Sequence, residues 1–315
     1  MKKTLLTICL VWMCFSLSAQ KIIDLSGKWS FSIDRQDNGE KEKWFSHTLN
    51  DFINLPGSMP EKLKGDEVTA KTQWTGSLYD SSYYYNPYME KYRKEGNIKF
   101  PFFLTPDKHY VGAAWYQKEV NIPADWKGER ILLFLERPHI ETTVWVNGQK
   151  TGMQNSLCVP HQYDITRYVR PGKCTITIRV DNRIKEINVG PDSHSITDQT
   201  QGNWNGIVGR ICLQTTPKTY FDDIQIYPEP EQKLARVKVV IKGTGTAKVK
   251  LSAESFNTDK KHIVPAIQQE IKLNKGVTET EMVLPMGNDM LLWDEFHPAL
   301  YKLKAEVTNG KKTEI

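Results

Sequence analysis

The chain has 315 residues, of which 39% are hydrophobic, 25% charged and 10% aromatic, a balance that excludes disordered and collagen-like chains and allows one to three domains. Lys and Arg number 42 against 37 Asp and Glu, and setting aside Lys2 and Lys3 in the N-terminal leader leaves 40 against 37, a net +3 scattered along the chain. Nucleic acid is excluded as a partner, because its binding concentrates cations on one face or stripe.

Met1-Lys2-Lys3 precedes an apolar run from Leu5 to Leu17 and then Ser18-Ala19-Gln20. A charged start, a short apolar core and a small residue before the cut form a secretory signal peptide over residues 1–19. The run falls short of the roughly 20 apolar residues that span a bilayer, and no second run follows, so no membrane span is expected. Export is the expectation, to the periplasm or cell surface of a Gram-negative bacterium. Cys9 and Cys14 leave with the leader; Cys158, Cys174 and Cys212 stay at wide spacings without a CxxC, which suits buried apolar thiols better than a disulfide.

From Lys21 onward the pattern is β. Trp29–Ile33, Tyr116–Ile122, Thr175–Val180 and Arg236–Ile241 alternate, in whole or in part, between apolar and polar residues, the period of half-buried strands, and Trp29, Trp115 and Trp145 fall on strands as core residues. Asn147-Gly148 after Val144-Trp145-Val146 marks a tight hairpin, because both residues tolerate positive φ. Gly243-Thr244-Gly245-Thr246-Ala247-Lys248 lacks the phosphate-loop ending and is expected to be a turn between strands. Strands closed by turns, with no crossover helices, give an all-β chain of antiparallel sandwiches. A boundary near Pro217 separates a domain over 20–217 from a second over 218–315, the size of an immunoglobulin-like sandwich.

Gly65 to His109 breaks the pattern with Trp74, Tyr79, Tyr83, Tyr84, Tyr85, Tyr88 and Tyr92 among polar residues. So long a connection is either a self-packed excursion or a functional loop, and Tyr84, Tyr85 and Tyr88 are candidates for the aglycone side of a sugar site. Catalytic signatures are scarce. The pairs Asp66-Glu67, Asp222-Asp223 and Asp294-Glu295 are sequence neighbours, which point to opposite faces of a strand and cannot flank one glycosidic bond. Seven dispersed His residues give no ligand spacing, so no metal site and no cofactor are expected.

The segment Asp192–Ile211 gathers Asp198, Gln199, Asn203, Trp204 and Asn205 beside glycines, the inventory of a polyol site: carboxylate and amides for hydroxyls, an indole for stacking. It resembles the Asp-Gln…Trp…Gly-Ile loop of glycoside hydrolase family 2, the β-galactosidase, β-glucuronidase and β-mannosidase group. The resemblance runs on through Leu25-Ser26-Gly27-Lys28-Trp29, Leu55-Pro56-Gly57-Ser58-Met59, Ala114–Lys118, Val144–Gly148, Tyr163-Asp164-Ile165-Thr166, Ile178–Asn182 and, near the end, Leu292-Trp293-Asp294 through His297–Leu303, in family order. It implies a jelly-roll sugar-binding domain followed by the immunoglobulin-like one, in an exported retaining β-galactosidase-type hydrolase of β-linked glycans.

The same resemblance implies that the acid/base and nucleophile lie on a downstream (β/α)8 barrel, the chain's own partner, which needs roughly 250 further residues. No Asn-Glu dipeptide, the family's acid/base mark, occurs here, so no catalytic residue is placed in this chain and the 315 residues alone are expected to be inactive. The final Gly310–Ile315 reads as a strand cut off. Asp198, Asn203 and Trp204 are the expected substrate-lining residues, with a cation near Asp198 in some relatives; the bland alternative is a turn-capping Asp beside a core Trp. Arg210 reads as a strand-edge or interdomain ion pair rather than a substrate contact. The alternative function is a free-standing carbohydrate-binding protein without turnover.

Overall fold

A computed structural model describes residues 21–76, 81–101, 103–185, 190, 192–310 and 312–315; the leader and Tyr79 lie outside the described residues. The chain forms two compact units, residues 21–215 and 216–315. The first unit carries β1 (Ile22–Asp24), β2 (Gly27–Asp34), β3 (Asp51–Leu55), β4 (Gly57–Ser58), β5 (Asp66–Glu67), β6 (Lys108–His109), β7 (Ala113–Ile122), β8 (Arg130–His139), β9 (Glu141–Val146), β10 (Gln149–Asn155), β11 (His161–Asp164), β12 (Gly172–Asp181) and β13 (Gly206–Thr216).

Two antiparallel sheets make this unit a sandwich, one ordered β10-β9-β12-β7-β2-β3 and the other β1-β13-β8-β11 with β4 on β13. Alternation along each strand sends one set of side chains inward. Trp29, Phe31, Tyr116, Val144, Ile176 and Ile178 from the larger sheet meet Leu133, Leu135, Ile207, Ile211 and Leu213 from the smaller in one buried cluster. Trp115 and Trp145 are buried too, but on the opposite face of the larger sheet, where the segment after β2 folds Trp44, Phe45 and Leu49 over them. That cover explains why the outer face of β12 is as dry as its inner one, and why Trp115 can donate its indole N–H to the buried Asp34 carboxylate at 2.9 Å. The β9–β10 hairpin turns on Asn147 and Gly148 at φ 49° and 77°, the left-handed pair that the strand twist requires.

The second unit is one antiparallel sheet of β14 (Tyr220–Glu229), β15 (Leu234–Phe256), β16 (Ile263–Pro285), β17 (Leu300–Asn309) and β18 (Lys312–Glu314), with β16 and β14 or β17 on either edge of β15. Val237, Val239, Ile241, Val249, Leu251 and Val307 form its main core, and Ala253, Val264, Leu284 and Met286 a second. The Gly243–Lys248 stretch is not a turn. It lies within β15, where Gly243 pairs with Gly276 and Gly245 with Leu273, one extra residue forming a bulge. Glycines broke the apolar alternation as a turn would, but the ladder to β16 resumes on the far side, so the strand bends instead of reversing. A Cβ on Gly243 would come within 2.6 Å of the Thr219 hydroxyl.

Cys158 is exposed and Cys174 and Cys212 buried, all three as free thiols, and burial raises the Cys174 thiol to about 11. Among the described residues no helix is long and apolar enough to cross a membrane.

Candidate functional site

The segment leading into β13 is held in place by buried hydrogen bonds. Asp198 is 1% exposed, and both of its oxygens are engaged: Oδ2 accepts the Thr75 N–H at 2.7 Å and lies 3.3 Å from His109 Nε2, while Oδ1 accepts the Asn203 N–H at 2.5 Å. Its backbone is stitched to the same neighbours, the N–H donating to Thr75 O and the carbonyl accepting from Leu104 N–H. Thr75, Leu104 and His109 all belong to the Gly65–His109 excursion or its base, so Asp198 clamps one loop to the other. The carboxylate thus meets an N–H donor on each oxygen. Among the described residues no group of three His, Cys, Asp or Glu side chains could hold a metal ion.

Asparagines continue the clamp into the sandwich. Asn203 Nδ2 donates to Thr75 Oγ1 and to the Asn182 carbonyl, and its Oδ1 accepts from Asn182 Nδ2 at 2.9 Å. Asn182 in turn accepts the Gly112 N–H and donates to Tyr110 O; Asn205 donates to the Gly112 and Val180 carbonyls and accepts from the Tyr116 hydroxyl at 2.7 Å. These amides satisfy backbone groups where the strands end, which is why they tolerate full burial. Burial pushes the Tyr116 hydroxyl well above its ordinary range, so it stays a donor. Gly206 closes the loop at φ 146°, where a Cβ would meet Gly57 O at 2.4 Å.

Trp204 is half-buried and lies flat on His139, ring centroids 4.6 Å apart and planes 18° from parallel. Burial lowers the His139 imidazole to about 4, against the pull of Asn203 and Asp198, and keeps it neutral at physiological pH. Among the described residues its buried Nε2 has no hydrogen-bond partner.

At the same strand end, Arg179 bridges Asp37, Glu141 and Asp181, and Arg183 and Lys185 close on Asp181 from the other side. Burial alone would raise Asp181; hydrogen bonds from Arg183 and Lys185 outweigh it and hold the carboxyl far below the usual range.

The described residues of the excursion pack on one another. Tyr83 is buried against Phe100, with centroids 4.6 Å apart, and Trp74 stacks on Phe103 and against His109. Antiparallel pairing of β5 with β6 joins its ends, Asp66 opposite His109. Tyr84, Tyr85 and Tyr88 point outward, 46%, 72% and 85% exposed. Arg210 pairs with Glu136 at 2.9 Å across the neighbouring inner strands β13 and β8, a cross-strand ion pair.

The structure thus brings Asp198 and Asn203 together as loop supports and leaves Trp204 as the partly open ring beside them. His139, Thr75, His109 and Asn182 complete the arrangement without a sequence signal of their own, since each meets its partner across a long stretch of chain. Asn182 came nearest to legibility, as the polar end of an apolar strand.

Family models fall on the two units in turn: "Glycosyl hydrolases family 2, sugar binding domain" matches residues 22–217 and "Glycosyl hydrolases family 2" matches 219–315. The chain belongs to glycosyl hydrolase family 2. Among curated relatives of this family 2 chain, a human β-glucuronidase is 24% identical over 90% of the chain and 41% of its own length. A Paenibacillus borealis β-glucuronidase is 24% identical over 92% and 43%, and a Clostridium acetobutylicum β-galactosidase 24% over 89% and 28%. The solved β-glucuronidase of an uncultured Clostridium superposes with a TM-score of 0.59 at 22% identity, over 94% of this chain and 44% of that one, which shows a shared fold. The family 2 chain therefore spans less than half the length of these relatives.

Proposed function

We propose that this chain is the pocket-shaping part of an exported retaining glycosidase that cleaves O-glycosidic bonds in β-linked glycans. The observation that carries the reading is the presence of both family 2 accessory modules in order along one chain. More than half of each relative lies beyond the match, room for a barrel of roughly 250 residues bearing the two carboxyls of a retaining mechanism, about 5–5.5 Å apart. The relatives' names point to β-glucuronides or β-galactosides as the substrate class.

On this reading the loop carrying Asp198, Asn203 and Trp204 borders the pocket. Asp198 and Asn203 act by fixing the loop and Trp204 by offering an indole face to sugar C–H groups. The exposed Tyr84, Tyr85 and Tyr88 are suited to the aglycone side.

The test compares residues 20–315 with the product of the whole reading frame on nitrophenyl β-glucuronide and β-galactoside. Turnover is expected from the longer product and none from residues 20–315, and turnover by the short chain would overturn the division of labour. If the frame stops at Ile315, catalysis falls away and sugar binding without hydrolysis takes its place. In the longer product Trp204→Ala should lower kcat/KM, and an unchanged value would remove the loop from the pocket.

A further inference from the structure

A polar cavity opens on the outer face of the larger sheet, at the end of β12 opposite to Asp181. Thr175, on its rim, stands six residues from Asp181 along that strand, about 20 Å at the usual rise. The cavity measures about 290 Å³ and is bounded by the segment Phe45–Thr48, the Asn147-Gly148 turn, Gln117 and Thr175. That volume lies near the lower end of the roughly 300–1,000 Å³ typical of small-molecule sites, room for one sugar ring rather than an extended chain.

Its lining carries no Lys, Arg, Asp or Glu. Gln117 is 8% exposed; its amide nitrogen donates to the His47 carbonyl at 3.2 Å and to Thr177 Oγ1 at 3.1 Å, which fixes the plane of the amide. The other end of that amide, Oε1, accepts no hydrogen bond from any described residue, and neither do the hydroxyls of Ser46, Thr48 and Thr175 take part in one. Asn147 shows the contrast: its side chain is consumed by the Thr175 N–H and the Tyr168 carbonyl and stiffens the wall. Phe45 adds an aromatic surface, held parallel to Trp145 at 5.1 Å and 6°.

A preoriented amide oxygen open to the cavity, three unengaged hydroxyls and one flat ring, with no Lys, Arg, Asp or Glu, match an uncharged polyol that needs donors and acceptors together with an apolar face. Phosphates and uronates find no Lys or Arg to meet here. We propose that this cavity binds a neutral pyranose, as a free sugar or as the terminal unit of a glycan. The proposal goes beyond the hydrolase reading and stands whether or not that reading does.

The test is amide-resolved NMR titration of the purified chain with methyl β-glucopyranoside, methyl β-galactopyranoside, a β-linked disaccharide and sodium glucuronate. Saturable shifts are expected at Phe45–Thr48, Gln117, Asn147 and Thr175 with at least one neutral glycoside, with a Kd on the order of 1 mM, as befits a shallow site. Tighter binding of the disaccharide would identify a glycan terminus, and equal binding a free sugar. Gln117→Ala and the near-isosteric, partly exposed Thr175→Val should each weaken binding about tenfold or more, while Trp204→Ala leaves it unchanged. The absence of saturable shifts at these amides, or shifts that ignore Thr175→Val, overturns the proposal. Shifts confined to residues 198–205 would do the same while supporting the loop as a sugar contact.

Discussion

His139 and Trp204 share one stacked contact, 4.6 Å between centroids, that joins the end of β8 to the segment entering β13. An imidazole in that position serves as a flat neutral plate, and a proton on it would be a buried charge with Nε2 unpaired. The stack therefore carries a pH dependence.

In the folded chain His139 titrates near 4, whereas in the unfolded chain an imidazole titrates near 6.5. Between those values the unfolded state holds the extra proton, so stability rises with pH from about 4 to 6.5 and is fully present above. His139→Phe keeps the plate and should flatten the curve by up to about 3 kcal/mol, read from urea unfolding at pH 4.5 and 7.5. His161, also lowered by burial, acts in the same direction and leaves a residual slope. An unaltered pH dependence in the Phe variant would mean that His139 titrates as an exposed group.

Asp198→Asn retains the shape of the clamp but must set an amide against one of the N–H donors from Thr75 and Asn203. A loss of about 1–3 kcal/mol is expected. Amide exchange should quicken at Asn203, Thr75 and Leu104 before the sandwich strands respond; uniform protection across both would show that the carboxylate is dispensable to the loop.

Gly206→Ala drives a methyl into Gly57 O at 2.4 Å and Ser58 Cα at 2.8 Å, backbone atoms that cannot swing aside. The pairing of β4 with β13 should break, lowering Tm by several degrees, and an unchanged Tm would contradict the close approach.

Arg179→Met leaves Asp181, which is fully buried, with only Arg183 and Lys185 for neutralisation, at a cost of about 3 kcal/mol. Because the Asp181 carboxyl is held low, the wild-type network contributes above the ordinary carboxylate range and is lost as pH falls below it. The variant should lose less stability than the wild type between pH 5 and 3, and an equal loss would place the acid transition elsewhere.

The strands and the Asn147-Gly148 hairpin were legible because their information is local: alternation and positive φ are properties of adjacent residues. Trp115 and Trp145 showed as buried, but not on which face, since the cover that dries the outer face comes from Trp44 and Phe45, whose segment has no strand period. Gly243–Lys248 misled because a bulge and a turn use the same glycines, and only the partner strand distinguishes them. At the loop, the residue types of Asp198, Asn203 and Trp204 announced a polar cluster, but the inward direction of the two polar groups depends on Thr75, His109 and Asn182, far away in the chain.

The pairing of Asp66 with His109 brings the two ends of a long aromatic excursion one strand spacing apart. A segment with adjoining ends is an exchangeable cassette: a short hairpin could replace it and the sandwich behind would still close. What would be forfeited is Thr75, Leu104 and His109, the handholds of the Asp198 loop. Trading cassettes would therefore retune the loop, and any replacement must supply new partners for the buried Asp198 and Asn203.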